Sequence, residues 1–562
     1  MPDRLKRYLL PGWSVVLALI VLLPVLAPGY LLHLDMVFVP RQSLLPWMLG
    51  IGGGLPRSVP QDAIVALLAG PLPGQVLQKA VLLASLTLAG WGAGRLAGPG
   101  LTRQLPAASL YMWSAYVAAR LLMGHWALLW AIGLLPWIVL AARRARERGQ
   151  WLPVVVVSGA AALVPTGGLI AALTAVPLAL GFGSRLRVGA RIAVVGLLLL
   201  FNAPWWLPAL RSASAGVSDP LGLVVFGARA DGPGGVLASV LGGGGVWNAA
   251  ATLPSRGTWF MLLGLLTVLA LAAYGLPVML RQARPEVLWL GSLGVLGVLW
   301  AWLSGVAADQ GWAQQIVSAL PGGGLLRDGQ KWTVWWVLLL AICAPSGLRR
   351  LMARAEDVLR LFMAAALAIL PIAMLPDLAA GAFGRLTPVS YPAAWDGLRQ
   401  RLAEAPEPGD VISLPWSPFR RYAWNGSDVV LDPLPRYLTR TVVWDDDLPV
   451  TVEGRVVQVG GDDPRAQAVG QAIQSGRPLP DALAPLGIKW IVVQRDQPQA
   501  SRTPDLRGAV RVWEQDRLEL WRVEQAVTIV EPRDPVVVGV DVLAALMLIG
   551  CGVGWAVRRV PR

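Results

Sequence analysis

Residues 257–280 run Gly-Thr-Trp-Phe-Met-Leu-Leu-Gly-Leu-Leu-Thr-Val-Leu-Ala-Leu-Ala-Ala-Tyr-Gly-Leu-Pro-Val-Met-Leu, and Arg281 and Arg284 follow at once. No side chain in the run is charged. A helix rises 1.5 Å per residue, so a continuous apolar run of about 18–24 residues covers the roughly 30 Å of a bilayer's hydrocarbon. Hydrocarbon leaves backbone polar groups without partners, so only helices and closed barrels cross it. A barrel strand would alternate apolar with polar residues, and this run shows no such alternation. It reads as a membrane-spanning helix with arginines at one end.

The same reading extends along the chain in both directions. Of its 562 residues 55% are hydrophobic and 15% charged, with a mean hydropathy of +0.56. Soluble domains carry about 25% charged residues. Spans are expected at about 11–30, 74–94, 105–122, 124–142, 151–167, 168–184, 192–208, 257–280, 287–308, 332–348, 360–377 and 535–556. The fold class is therefore an α-helical polytopic membrane protein of about twelve spans. Met1 to Arg7 and the apolar run to Ala27 resemble a signal peptide. No convincing small-x-small cleavage site follows and the run is long enough to span, so an uncleaved first helix is expected. The pair within 151–184, around Pro165-Thr166-Gly167-Gly168, is short enough to be re-entrant without changing the parity.

Charge separates the connections into two sets. One holds Arg4, Lys6 and Arg7; Arg95 and Arg103; Arg143, Arg144, Arg146 and Arg148; Arg185, Arg187 and Arg191; Arg281 and Arg284; Arg349, Arg350 and Arg354; and Arg558, Arg559 and Arg562. The alternate connections are longer, richer in Gly, Pro and Trp, and poor in cations. The positive-inside rule then puts both termini in the cytoplasm and the long loops outside. Because the cations sit in short clusters between apolar runs, the net charge of +14 does not indicate nucleic acid. Cys343 and Cys551 fall inside expected spans and the two histidines lie far apart, which argues against a disulfide framework and a histidine-based metal site. Trp47, Trp205, Trp206, Trp332 and Trp336 near span ends read as an interfacial belt.

Polar residues gather on the outer side. The first outer segment opens Leu31-Leu32-His33-Leu34-Asp35-Met36-Val37-Phe38-Val39-Pro40-Arg41 and continues through Gly52-Gly53-Gly54 to Arg57 and Asp62. An acid at the depth of Asp35 loses hydration unless it is paired or used; its structural partner would be Arg41 or Arg57. Arg120 and His125 stand at the turn between the third and fourth spans, where the histidine either meets a phosphate or carboxylate or caps the hairpin. Gly322-Gly323-Gly324 leads through Arg327 and Asp328 to Lys331, and glycine-rich backbone with cations at a helix start suits a phosphate. A turn held by an Arg–Asp pair is the plainer reading. Phe226 to Asp231 and the glycines 242–245 read as flexible loop.

From Phe383 to Pro535 the spans vanish and charge rises. Short β-rich runs at 410–414, 429–431, 490–493, 510–512 and 518–521, with helical patterns at 392–403 and 463–476, predict a small extracytoplasmic α/β domain. The expected division is a membrane domain over 1–377, the α/β domain over 378–534, and a final span with a cytoplasmic tail over 535–562. Leu414 to Tyr422 mixes aromatics with arginines and is expected to pack on the membrane-domain loops. Asp445-Asp446-Asp447 reads as a solvated acidic loop, with a divalent ion or sugar hydroxyls as the sharper option.

An aspartate just past the first span, alternating short and long loops, and a C-terminal exterior domain together resemble the GT-C superfamily of membrane glycosyltransferases. Gly124-His125-Trp126-Ala127-Leu128-Leu129, Leu326-Arg327-Asp328-Gly329-Gln330-Lys331 and Leu486-Gly487-Ile488-Lys489-Trp490-Ile491-Val492-Val493 are similar to stretches of the actinobacterial arabinofuranosyltransferases of cell-wall arabinan synthesis. The resemblance covers the architecture of most of the chain. It implies a polyprenyl-phosphate sugar donor, a glycan or lipid acceptor and contact with membrane lipids, all on the extracytoplasmic face. Asp35 would take the place of the general base. Arg57, His125, Arg327 and Lys331 would face the phosphate, with Arg41, Asp62, Arg120 and Asp328 completing the substrate-binding set. Some members recruit a divalent metal here; too few carboxylates cluster in this chain to predict one, and no other cofactor is implied. A second class of function is a GT-C-like accessory protein, or a transporter or flippase, in cell-envelope glycan assembly. A transporter places ionisable residues near the bilayer midplane, and the expected spans hold few, chiefly Lys79.

Overall fold

A computed structural model describes residues 3–212, 217–307, 311–319, 322–452, 455–498, 504–527 and 533–558. The side chains of Arg4 and Lys6, all of Arg559 and Arg562, and residue 308 lie outside them. Among the described residues, eight helices are long and apolar enough to cross a membrane: Gly74–Leu96, Trp126–Arg148, Val188–Arg211, Trp259–Gln282, Arg284–Val306, Gly329–Leu351, Asp357–Met374 and Pro535–Val557. This is a membrane protein, with fewer full-length spans than the dozen expected.

The remaining expected spans are shorter or broken, each for a local reason. The first helix, Asp3–Leu22, ends before Pro24, and the chain turns into the short strand Tyr30–Leu31. Proline removes a backbone donor and its ring clashes with the preceding turn. The expected span 105–122 is two helices, Leu101–Met112 and Ala115–Leu122. Between them Ser114 caps the second, its side chain accepting the Val117 N–H at 3.3 Å. Leu152–Ala161 and Pro165–Leu180 form a hairpin that starts and ends beside Arg146 and Arg185. Ten residues cover only about 15 Å, half the hydrocarbon depth. Short and broken helices survive inside a membrane where other helices cover them.

The arginine-rich connections meet at one end of the bundle. Arg103 donates to Gln282 at 3.0 Å, Arg143 and Arg146 hold Glu286 at 2.8 and 2.7 Å, and the Arg185 N–H reaches the Arg146 carbonyl. At the other end sits the α/β lobe. Its five strands are β1 (Asp410–Leu414), β2 (Val442–Val443), β3 (Ile488–Gln494), β4 (Ala509–Gln515) and β5 (Leu518–Val523), ordered β4-β5-β3-β1-β2. The pairs β1–β2 and β1–β3 are parallel, and β3–β5 and β4–β5 antiparallel. Ile412, Leu414, Ile488, Ile491 and Val493 face one apolar layer with Val469, Leu479 and Leu483 of the helices Pro464–Gln474 and Leu479–Leu483. Val411, Trp490 and Val492 belong to the other layer with Trp395 and Leu398 of the helix Ala393–Glu404. Burial on both faces explains the unbroken apolar runs of the central strands.

That second layer is continuous with the core of the helical bundle. Two backbone pairings stitch lobe to bundle: Tyr30–Leu31 with Pro388–Val389, and Leu34 with Val430 of the strand Val429–Leu431. Tyr391, Trp395, Tyr422, Trp424 and Tyr437 pack ring against ring beside the joint.

Candidate active site

The loop after the first helix is laid down by its neighbours. Leu34 donates to the Val429 carbonyl at 2.7 Å and accepts from Leu431 N–H at 2.8 Å, while the Asp35 N–H reaches the Met123 carbonyl at 3.2 Å. Leu34 itself sits at φ 47°, a left-handed turn that swings the next side chain off the strand. Gly124 (φ 77°) lies directly beneath, where a Cβ would collide with the Met36 nitrogen. The Asp35 carboxylate is thereby presented, 43% exposed, to a cavity of about 2070 Å³ between the bundle and the lobe. The turn of the short hairpin, Val164 to Thr166, also lines the cavity.

Neither Arg41 nor Arg57 pairs with Asp35. Its partner is His125, whose Nε2 lies 3.2 Å from Oδ2. The other ring nitrogen, Nδ1, lies 3.2 Å from Arg120 Nη1. Arg120 is fully buried and grips Asp328 with two bonds of 2.7 and 3.2 Å, and it also donates to Gln330. Lys331 closes the group with Nζ 3.9 Å from Asp328, and Tyr116 fixes its backbone through a 2.7 Å bond to the carbonyl. The His125 side chain makes no helix cap. Burial pushes its pKa below the ordinary value, and Arg120 and Lys331 add to this against the opposing pull of Asp35. Burial alone would raise the Asp328 carboxyl, but Arg120 and Lys331 outweigh it and hold it below the usual range.

Of the nine residues singled out in the sequence, five line the cavity: Asp35, Arg57, His125, Arg327 and Lys331. Arg57 is paired with Asp462 of the lobe. Arg327 makes no ion pair among the described residues; it stacks on Phe226 at 5.4 Å over Gly222, where any Cβ would strike it. Burial, with Arg57 nearby, lowers its pKa to about 10, which still leaves it charged at neutral pH. The other four do not line the cavity. Arg120 and Asp328 support His125, and Asp62 is buried in a 2.8 Å pair with Arg436. Arg41 is exposed, with its backbone carbonyl bound by Arg399.

Three wall residues carried weaker signals. Arg229, read as flexible loop, lines the cavity with no ion pair among the described residues, while Asp231 beside it is locked to Arg256 at 2.7 Å. Trp47 and Trp205, read as belt residues, also line it, and Trp332 is core. Asp446 and Asp447 receive the backbone N–H groups of Gly461, Asp462 and Asp463, so the acidic run clasps a neighbouring loop. Asp541, overlooked among the spans, has both carboxylate oxygens buried without a hydrogen-bond partner among the described residues. Among those residues no three acids, cysteines or histidines converge to hold a metal ion. Around Asp35 the neighbours are His125 and cations, a donor set that does not fit a divalent metal.

No protein-family model matches the chain, and no curated protein matches it. Solved structures do. The cryo-EM structure of arabinofuranosyltransferase AftD from Mycobacteria superposes with a TM-score of 0.56 at 15% identity, over 94% of this chain and 40% of that one. A mutant of the same enzyme, class 2, gives 0.55 at 17% identity, over 94% and 42%. The chain thus spans about two-fifths of the length of the structures it matches, and what it shares with them is the fold.

Proposed function

We propose that the chain is a membrane glycosyltransferase of cell-envelope synthesis, moving a sugar from a polyprenyl-phosphate donor to a glycan or lipid acceptor on the extracytoplasmic face. One observation carries this reading: a half-exposed carboxylate, Asp35, faces a large cavity whose wall also presents Arg327 and Lys331. In the reaction the acceptor oxygen attacks the anomeric carbon and gives its proton to Asp35. The bond from that carbon to the donor phosphate breaks, and the phosphate leaves with the electron pair. General-base help of this kind contributes roughly 10²–10⁴-fold. Arg327 and Lys331, with Arg57 and Arg229 of the same wall, face the charge that builds on the leaving group.

The orientation belongs to the same proposal. The arginine end of the bundle faces the cytoplasm, as the positive-inside rule requires, and the lobe with the cavity faces out. The rival reading, a transporter or flippase, has one observation in its favour: Asp541, inside the last span, has no hydrogen-bond partner among the described residues. A single buried acid marks no route across a bilayer. The deciding experiment supplies purified protein with a panel of polyprenyl-phosphate sugars and compares wild type with Asp35→Asn. Transfer by the wild type and its loss in the variant are expected; equal turnover in the two removes Asp35 as the base.

A further inference from the structure

We infer that Arg120 is a positioning residue that fixes His125 as a neutral imidazole with its proton on Nε2, so that the ring donates to Asp35 and cannot take a proton from it. The catalytic consequence rests on the transferase reading above; the tautomer itself does not.

The argument is one of donors and acceptors. A guanidinium carries five N–H donors and no acceptor, and it keeps its charge in a protein. Arg120 Nη1 faces His125 Nδ1 at 3.2 Å, so Nδ1 must offer its lone pair. The ring proton then sits on Nε2, 3.2 Å from Asp35 Oδ2. Arg120 cannot turn away, because Asp328 and Gln330 hold both of its terminal nitrogens and the whole group is buried. An imidazolium would set an N–H on Nδ1 against those of Arg120. The charged groups around the ring are Asp35 from the first outer loop, Arg120 from its own turn, and Asp328 and Lys331 from the opposite segment; the two anions balance the two cations, so the donor geometry at Nδ1 decides the tautomer. Burial adds to the cost of a charged ring.

Two consequences follow for the chemistry. Oδ2 of Asp35 is occupied by the ring, which leaves Oδ1 for the acceptor hydroxyl. The proton that Asp35 collects has no exit through His125 and must leave through the cavity. His125 is therefore an orienting donor and not a second base.

The chain has two histidines, which makes the test direct. Full-length protein labelled with [15N]histidine is studied by NMR in lipid nanodiscs, with His33→Gln assigning the two rings. Wild type is expected to show, from pH 5 to pH 8, one bare nitrogen at Nδ1 and one protonated nitrogen at Nε2 of His125. A protonated Nδ1, or conversion to imidazolium within that range, overturns the inference. Arg120→Lys, still a donor-only cation, should keep the pattern. Removing Arg120 and Asp328 together, as Arg120→Met with Asp328→Leu, strands neither of the two in the buried site, leaves Lys331 open to the cavity, and should let His125 titrate. A ring that stays fixed in the double variant also overturns the inference, and should that variant fail to fold, the wild-type spectrum decides alone. Absence of turnover with every donor, beside an Nε2–H ring, would sink the transferase reading and leave this one standing.

Discussion

At the scale of single residues, function divides by which side of the cavity wall a charge occupies. Arg327→Ala and Lys331→Ala each remove a cation of the cavity wall that the proposed function assigns to a donor phosphate. A charged hydrogen bond contributes about 1.5–3 kcal/mol, so either change should weaken binding of a polyprenyl phosphate by roughly 10- to 100-fold, as titration calorimetry would read. Arg41→Ala, an exposed position away from the wall, should leave that affinity unchanged. Asp62→Ala should act differently again. It strands Arg436 in a buried site, a loss of about 3–5 kcal/mol, seen as a lowered Tm. The sequence marks the residue types at these positions well, because charge is scarce in an apolar chain. It does not say which are paired. Asp35 with His125, and Asp62 with Arg436, are partnerships across long stretches of chain that no local pattern encodes. Arg229 illustrates the converse: next to Asp231 in sequence it reads as half of a neutral loop, yet Asp231 is taken by Arg256.

At the scale of elements, the site depends on a loop gripped from two sides. Gly124→Ala would force a side chain into the Met36 nitrogen at a left-handed position, costing about 2 kcal/mol or more. The expected result is a fall in transfer rate out of proportion to the change in Tm, because the residue displaced is next to Asp35. The acidic run offers a pH test. Burial raises Asp445 to about 7, so the folded state binds a proton that the unfolded chain, near 3.9, has already released. The contribution of Asp445 to stability is therefore fully present below its unfolded pKa and is lost as pH rises through about 7. Thermal melts between pH 4 and pH 8 should show the decline, and Asp445→Asn should flatten it. Long uniform spans such as Trp259–Gln282 were legible from hydropathy alone. The break at Trp113-Ser114 was not, because both residues are compatible with a continuous helix and only the surrounding helices make a break affordable. Asp541 is a lone acid in an otherwise apolar span, and only the packing shows that its carboxylate meets no hydrogen-bond partner among the described residues.

At the scale of the whole molecule, the bundle has an arginine end and a lobe end, and orientation can be tested on intact cells. Cys343 and Cys551 are buried, so background reaction is low. Ser475→Cys on the lobe should react with a membrane-impermeant maleimide, and Arg187→Cys at the arginine end should react only after permeabilisation. The reverse pattern would place the cavity in the cytosol and end the proposed assignment of face. Sequence reading anticipated a lobe after the spans; it could not foresee that the lobe's core runs into that of the helices, since such continuity is written only in three-dimensional packing. The strand at 429–431, which holds the main chain of Leu34 on both sides, has a practical corollary for anyone building chimeras. A lobe transplanted from a relative must bring an equivalent edge in the same register. Otherwise the recipient membrane half would be left with Asp35 on an unmoored tether.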